Sequence, residues 1–127
     1  MLDINKCIWI TGASTGIGKN LALKLAKEGF VVAASARSIK NLNILKKESK
    51  SFKGSIYIFP LDISIKNQVI SIFNKIEKKL GVIGTVILNA GINESMHSQN
   101  FSSQKLENIM HVNYVGTTNV LEPVIKK

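Results

Sequence analysis

The stretch Thr11-Gly12-Ala13-Ser14-Thr15-Gly16-Ile17-Gly18 lies between an apolar run at residues 7–10 and a helix-forming run at residues 19–28. This order predicts a buried strand, a glycine-rich turn and a helix. Gly12 would permit the tight turn, Gly16 would let backbone N–H groups approach a phosphate, and Gly18 would let the helix pack closely on the strand. The positive end of that helix would face the anion. An ordinary strand-to-helix connection is the alternative, but the flanking elements favour a seat for a pyrophosphate.

Length and composition indicate one folded domain that spans residues 1–127. The chain is 45% hydrophobic with a mean hydropathy of +0.14, which argues against disorder and allows a buried core. The first six residues lack the cationic start and apolar block of a signal peptide, and the apolar runs are too short to cross a membrane. We therefore expect a cytoplasmic protein without a membrane partner.

The net charge of +9 raises the question of a nucleic-acid partner. The lysines are dispersed on the polar sides or at the C-terminal ends of predicted helices, where cations suit the helix dipole and solubility. They form three sets: Lys19, Lys24 and Lys27; Lys46, Lys47, Lys50 and Lys53; Lys75, Lys78 and Lys79. No aromatic residues alternate with them to stack bases. The sequence therefore disfavours nucleic-acid binding.

Strands and helices alternate along the whole chain. Strands are predicted at residues 6–11, 30–36, 55–60 and 85–89. Helices follow each of them, and their apolar residues recur at helical spacing. Gly29 and Gly81 would end the first and third helices, Ser64 would cap the third, and a final helix would start at about Ser103. This alternation predicts a doubly wound α/β fold with a parallel sheet, the Rossmann fold.

The end of the second strand discriminates between nucleotide cofactors. A carboxylate there would accept a hydrogen bond from a ribose 2′-hydroxyl and would repel a 2′-phosphate. This chain instead has the uncharged Ala36 followed by Arg37, whose planar guanidinium suits a phosphate. The alternative is a solvated arginine at a strand end. Asp62, after the third strand, would either accept a bond from an adenine amino group or cap the next helix.

Four motifs in register give the chain a resemblance to the short-chain dehydrogenase/reductase family. They are the glycine pattern at residues 11–18, Leu61-Asp62, Asn89-Ala90-Gly91, and Asn113 within residues 111–116. The resemblance implies an oxidoreductase that acts on a carbonyl/alcohol pair with NADP, NAD being the less favoured cofactor. It implies a homo-oligomer for the full-length protein, and Asn113 would be the catalytic asparagine. Together with the strand-end analysis, it gives a cofactor-binding set of Thr11, Gly12, Ser14, Thr15, Gly16, Ile17, Gly18, Arg37, Asp62, Ile63, Asn89, Ala90 and Gly91.

The chain departs from the family in one respect. Family members are longer and carry a serine and a Tyr-x-x-x-Lys motif, whose tyrosine and lysine handle the hydroxyl proton. Here Tyr57 is followed four residues later by Leu61, and Tyr114 by Thr118. We therefore expect the N-terminal cofactor-binding portion of such an enzyme, with a sheet truncated after the fourth strand and its following helix. By itself it would be inactive. The alternative is a non-catalytic nucleotide-binding or interaction module.

The remaining reactive residues predict no further site. Cys7 is the only cysteine and lies in a predicted strand, where it would pack as a small apolar residue. His97 and His111 have no partners at metal-ligand spacing, so no metal site is expected. The loop around His97 corresponds by resemblance to a region that lines the substrate, whose identity the sequence does not specify.

Overall fold

The computed structural model describes all 127 residues and shows a four-stranded parallel sheet with helices on both faces. The strands lie in the order β3-β2-β1-β4. The elements in chain order are β1 Cys7–Thr11, α1 Gly16–Lys27, β2 Val31–Ala36, α2 Ile39–Glu48, β3 Ser55–Pro60, α3 Lys66–Leu80, β4 Ile83–Leu88, a 3₁₀ turn Ser98–Asn100, α4 Ser103–Met110, a π-helical segment His111–Gly116 and α5 Thr117–Ile125. The predicted doubly wound α/β fold is confirmed. None of the helices combines the length and the apolar character that a membrane span requires.

The sheet separates two apolar cores because alternate residues of each strand point to opposite faces. In β1, Ile8 and Ile10 face the layer of α1 and α2, whereas Cys7 and Trp9 face the layer of α3 and α5. Trp9 is fully buried, and its ring centroid lies 6.3 Å from that of Phe73. Because β1 is covered on both faces, its burial fixes the position of the glycine turn that follows it.

Glycine ends two helices as the sequence predicts. Gly29 has φ +102° after α1, and the Phe30 N–H bonds to the Leu25 carbonyl across it at 3.0 Å. Gly81 has φ +80° and caps α3. The last turns of α1, α2 and α3 each hold two lysines, as expected for cations that offset the helix dipole.

Two predicted boundaries were wrong. Ser64 does not cap α3: Ile65 occupies that position, and the Ser64 hydroxyl instead donates to Asp62 Oδ1 at 2.7 Å. The fourth strand begins two residues earlier than expected, at Ile83, and ends at Leu88. Its pairing with β1 shifts register between Cys7 and Ile8, which leaves Gly84 as an extra residue. A one-residue bulge explains why simple alternation misplaced the start of this strand.

The final helix is continuous but irregular. It begins at Ser103 as predicted, and the Ser102 hydroxyl accepts from the Lys105 N–H at 3.3 Å as its N-cap. Six residues then adopt π geometry before α5 resumes the α-helix. Apolar periodicity does not distinguish a π turn from an α turn, so the π segment was not predicted from the sequence. Pro123 lies inside α5.

Candidate nucleotide-binding site

A cavity of about 500 Å³ lies at the carboxyl ends of the strands, on either side of the end of β1. This is the edge at which open α/β sheets bind ligands, and the volume suits a small-molecule site. The lining comes from four chain segments at the carboxyl ends of the strands and from the π-helical segment: Gly12, Ser14, Ser35, Ala36, Arg37, Ser38, Leu61, Asp62, Ile63, Ala90, Gly91, Ile92 and Val112.

Two glycines of the turn allow the backbone to pack closely. Gly12 has φ +67°, and a Cβ there would lie 2.7 Å from the Ala90 Cα. A Cβ on Gly18 would collide with the Gly12 carbonyl oxygen and with Asn89 Nδ2. Both positions therefore exclude larger residues, because α1 and the loop after β4 approach the turn directly.

Gly16 differs because its surroundings are open. It has φ +54°, and no atom lies within 4 Å of where its Cβ would be. α1 begins at this residue, its N-cap Thr15 makes no side-chain cap bond, and its first turn holds no acidic residue. The first N–H groups of α1 are thus without side-chain acceptors beside an open space. Such a helix start is a suitable seat for an anion.

Thr11 and Asn89 hold the glycine turn against the end of β4. The buried Thr11 Oγ1 accepts from the Asn89 and Ala90 N–H groups, each at 3.2 Å. In return, Asn89 Nδ2 donates to the Gly12 carbonyl at 3.0 Å. These two residues do not line the cavity; they fix the relative positions of the segments that do.

The segment after β2 presents Arg37 to the cavity. No carboxylate forms an ion pair with this guanidinium. The flanking serines are engaged elsewhere: Ser35 Oγ accepts from Trp9 Nε1 at 3.0 Å, and Ser38 Oγ accepts from the Asn41 N–H at 3.2 Å as the N-cap of α2. Arg37 is therefore a cation at the cavity wall with no protein anion to neutralise it.

Asp62 also lines the cavity, but its carboxylate is partly engaged. Its Oδ1 accepts from the backbone N–H of Ser64 at 3.0 Å as well as from the Ser64 hydroxyl. This local turn leads the chain from β3 into α3. The sequence left two roles open for Asp62, an acceptor for adenine and a cap for the next helix. Asp62 does not cap α3, because Ile65 is the N-cap of that helix and no side chain caps it. The second carboxylate oxygen of Asp62 makes no protein hydrogen bond.

Asn113 lies in the π segment and clamps the loop that follows β4. Its Oδ1 accepts from the Ile92 N–H at 2.7 Å, and its Nδ2 donates to the Ile92 carbonyl at 2.8 Å. The Asn113 carbonyl accepts from the Thr117 hydroxyl at 2.7 Å. Because Gly91 and Ile92 line the cavity, the Asn113 side chain positions part of the cavity wall from 21 residues away.

The structure brings together seven residues of the predicted cofactor-binding set: Gly12, Ser14, Arg37, Asp62, Ile63, Ala90 and Gly91 line the cavity. Thr11, Gly18 and Asn89 support them from behind, and Thr15, Gly16 and Ile17 form the exposed start of α1. Sequence reasoning missed Ser35, Ser38, Leu61, Ile92 and Val112. The first four directly flank strand-end motifs, so proximity to those motifs could have found them. Val112 directly precedes Asn113 in the motif at residues 111–116, so the same rule applies to it.

The groups with perturbed pKa values lie away from this cavity. Burial raises the pKa of the Cys7 thiol to about 11, although a hydrogen bond with the Ala33 backbone opposes this effect. Hydrogen bonds from Lys126 and Lys66 lower the pKa of Glu122 to about 2. No group of three or more histidine, cysteine or acidic residues is arranged to hold a metal ion. The charged residues in the cavity lining are Arg37 and Asp62.

The sequence of this chain matches a known protein family and several of its members. A sequence model of a family described as short chain dehydrogenase matches residues 6–127. The chain is 32% identical over 120 residues to the 3-oxoacyl-[acyl-carrier-protein] reductase FabG of Thermotoga maritima, covering 94% of this chain and 49% of that protein. It is 34% identical over 121 residues to the NADPH-dependent pterin aldehyde reductase of Arabidopsis thaliana, covering 94% and 50%.

A solved structure shows the same architecture. The alcohol dehydrogenase of the archaeon Thermococcus sibiricus, complexed with 5-hydroxy-NADP, superimposes with a TM-score of 0.85 at 29% identity. The match covers 92% of this chain and 50% of that one. The chain thus spans about half the length of the relatives it matches.

Proposed function

The chain belongs to the short-chain dehydrogenase family, and from that premise we propose that it binds NADP(H) as the cofactor-binding part of an oxidoreductase. The reaction class would be the interconversion of a carbonyl compound and its alcohol. Family membership supports a nicotinamide cofactor, and the names of two relatives, an NADPH-dependent aldehyde reductase and an alcohol dehydrogenase complexed with an NADP derivative, support this choice of cofactor and substrate class.

The observation that carries the NADP preference is the end of β2. Ala36 and Arg37 line the cavity there, with no carboxylate at either position and no acidic partner for the guanidinium. A 2′-phosphate brought to this wall would meet a free cation, whereas a 2′-hydroxyl would find no acceptor carboxylate. The proposed preference for NADP over NAD therefore rests on one charge-assisted contact, between Arg37 and the 2′-phosphate.

The rest of the proposed site follows from the geometry of the turn. The open space at Gly16 and the uncapped start of α1, including Thr15 and Ile17, would receive the pyrophosphate together with Gly12 and Ser14. Asp62 and Ile63 would flank the adenine. Ala90 and Gly91 would contact the ribose, supported by Thr11, Gly18 and Asn89 from behind.

When bound, the reduced cofactor supplies a hydride, and the protein must deliver a proton to the carbonyl oxygen. This chain contributes binding and orientation. Asn113, the proposed catalytic asparagine by family resemblance, positions the cavity wall through Ile92. Neither tyrosine has a lysine four residues later. We therefore propose that these 127 residues hold the nucleotide without completing the reaction.

Because neither tyrosine is followed four residues later by a lysine, a second candidate function is a nucleotide-binding module without catalysis. The two proposals share the cavity and the cofactor, and they differ in whether further polypeptide completes the site. Cofactor titration tests what they share. An assay of a longer form of the protein that carries a Tyr-x-x-x-Lys motif separates them. The first proposal expects it to reduce carbonyl compounds, and the second expects no turnover.

The test of cofactor choice uses the single tryptophan, because Trp9 lies in β1 two residues before the glycine turn. Energy transfer from Trp9 to bound NADPH or NADH reports both affinities in one protein. We expect NADPH to bind more tightly, and Arg37→Ala to cost NADPH about 1.5–3 kcal/mol, roughly tenfold or more in affinity, with little effect on NADH.

The matched control is Lys40→Ala, which removes one exposed cation three residues further on that does not line the cavity. It should leave both affinities near those of the unaltered chain. Equal affinities for the two cofactors, or equal losses in the two variants, would contradict the NADP assignment. No binding of either cofactor would contradict the nucleotide site itself.

A further inference from the structure

Asn119 is a buried polar residue whose role the cavity lining does not explain. It lies in α5 with 8% of its surface exposed, and it does not line the cavity. Its Nδ2 donates to the Ile63 carbonyl at 3.0 Å, across 56 residues of sequence. Burying an amide costs free energy unless its polar groups are bonded, and an apolar side chain would avoid that cost. The bond to Ile63 therefore gives a physical reason for an amide at this position.

The Ile63 carbonyl belongs to a short stretch of cavity wall that leaves the sheet. Leu61 makes the last backbone bond to β2, from its N–H to the end of that strand at 3.0 Å. Beyond it, Asp62 and Ile63 line the cavity, and Gln68 Oε1 in α3 accepts from the Asp62 N–H at 3.2 Å. Asn119 in α5 holds the other end, at the Ile63 carbonyl. Side-chain amides from two helices thus hold this wall where strand pairing no longer does.

Gly116 brings the final helix against the same residue. A Cβ on Gly116 would lie 2.7 Å from Ile63 Cγ1 and 2.8 Å from Ile63 Cδ1, so only glycine lets the helix approach this closely. Gly116 and Asn119 are three residues apart and therefore lie on one side of the helix. The first lies against the Ile63 side chain, and the second bonds to the Ile63 carbonyl. The final helix therefore fixes both the backbone and the side chain of Ile63.

We propose that Asn119 is a positioning residue for the adenine-binding wall of the cofactor site. This inference rests on the proposed function, in which Asp62 and Ile63 flank the adenine. Asn119 acts on the cofactor through the Ile63 carbonyl and not by direct contact. Without the amide donor, that buried carbonyl would lack a partner, and the segment at residues 62–63 would move to find one. The Ile63 side chain would then leave the position in which it packs against the adenine.

The test measures binding of the adenine-bearing half of the cofactor. In the Trp9 energy-transfer assay, 2′,5′-ADP should displace NADPH, because it carries both the adenine and the 2′-phosphate. We expect Asn119→Leu to weaken binding of 2′,5′-ADP and of NADPH about fivefold or more. Val124→Ala is the control, since it weakens packing of the same helix against the same core and removes no hydrogen bond. With urea unfolding as the measure of folding, this control should bind both ligands as tightly as the unaltered chain.

A double-mutant cycle shows whether Asn119 acts through Ile63. Ile63→Ala removes the side chain proposed to face the adenine, so adding Asn119→Leu to it should cost less than about twofold in 2′,5′-ADP affinity. Gly116→Ala is an independent variant that keeps the Asn119 amide and pushes on Ile63 from the side of the helix. It should also weaken 2′,5′-ADP binding.

Three results would overturn the positioning role: a folded Asn119→Leu protein with unchanged affinity for 2′,5′-ADP, an equal loss in Val124→Ala, or losses from Asn119→Leu and Ile63→Ala that simply add. If Asn119→Leu does not fold, Gly116→Ala decides, and unchanged affinity in that variant overturns the inference. An unaltered chain that binds neither NADPH nor 2′,5′-ADP is a different outcome, because it removes the nucleotide site itself and the positioning role with it.

Discussion

At the residue scale, the glycine turn uses glycine in two ways. Gly12 and Gly18 are required by close packing of protein on protein, because a Cβ at either would strike neighbouring atoms. Gly16 faces open space, so only its backbone conformation and the room beside it call for glycine. The tight turn at Gly12 and the close packing at Gly18 agree with the sequence prediction, whereas the phosphate contact expected at Gly16 stays a prediction.

Gly16→Val should abolish NADPH binding, because the new side chain would fill the space in front of α1. Backbone strain at φ +54° would lower stability as well, so a strain control is needed. Gly81→Val provides it, since Gly81 also has positive φ and open surroundings but caps α3. Titration by Trp9 energy transfer should show binding lost only in the first variant. Retained affinity in a folded Gly16→Val protein would mean that the turn is only structural.

Asn113→Leu should weaken NADPH binding severalfold, because Ile92 loses both hydrogen bonds that hold it at the cavity wall. Stability should fall by about 1 kcal/mol, the net value of exposed hydrogen bonds. Asn108→Leu is the matched control: this exposed asparagine lies five residues earlier, and its side chain makes no hydrogen bond. Urea unfolding and cofactor titration of both variants check the prediction. If the two affinities fall together, Asn113 does not position the site.

At the scale of elements, the order of strands and helices was predictable because burial on both faces of β1 and β2 leaves long apolar runs. The structure departs from the sequence prediction at two places, after β3 and at the start of β4. The Ser64 hydroxyl bonds to Asp62 instead of capping α3, and the bulge at Gly84 moves the start of β4. The π segment depends on tertiary contacts, including the bonds between Asn113 and Ile92, that apolar periodicity does not encode.

Glu122 links α5 to the first residue of α3, accepting from Lys66 and from Lys126, each at 2.6 Å. Since these contacts lower its pKa from 4.5 to about 2, the unfolded state binds its proton first as the pH falls. The stabilisation is therefore present above pH 4.5 and is lost towards pH 2. Glu122→Gln should remove this pH dependence of the unfolding free energy.

The control for this titration is Glu28→Gln, because Glu28 is exposed and forms no ion pair. Denaturant unfolding at intervals between pH 4.5 and pH 2 should show the same slope for Glu28→Gln and the unaltered chain. A slope unchanged by Glu122→Gln would place the acid sensitivity elsewhere. Glu77, whose pKa is lowered by Lys127 and the Ile83 N–H against the opposing effect of burial, would then be the next carboxylate to replace.

At the scale of the whole molecule, the cavity at the strand ends has no tyrosine, lysine or histidine in its lining. Arg37 forms no ion pair, one oxygen of the Asp62 carboxylate accepts from Ser64, and Tyr57 lies on β3 outside the cavity lining. The sequence could predict most of the site because its residues follow strand ends, but it could not predict which residues would face inwards and which would support them.

The 127-residue chain should bind NADPH without reducing carbonyl compounds, because orientation of the cofactor does not supply a proton at the substrate oxygen. A panel of aldehydes and ketones assayed with NADPH on monodisperse protein tests this. Background oxidation of NADPH in the Arg37→Ala variant sets the baseline. Steady turnover that Asn113→Ala abolishes would show that a catalytic acid is present in this chain.

The π segment also determines the rotational phase of the helix that follows it. Each residue advances an α-helix by about 100°, so the extra residue in a π turn rotates everything after it by that amount. Asn119 and Val120 are buried, and Asn119 Nδ2 reaches the Ile63 carbonyl at 3.0 Å, only in this phase. Restoring α geometry in the segment with all its residues kept would turn Val120 by about 100° and move Asn119 Nδ2 away from the Ile63 carbonyl. A local irregularity at the cavity thus decides which face of α5 packs against the sheet.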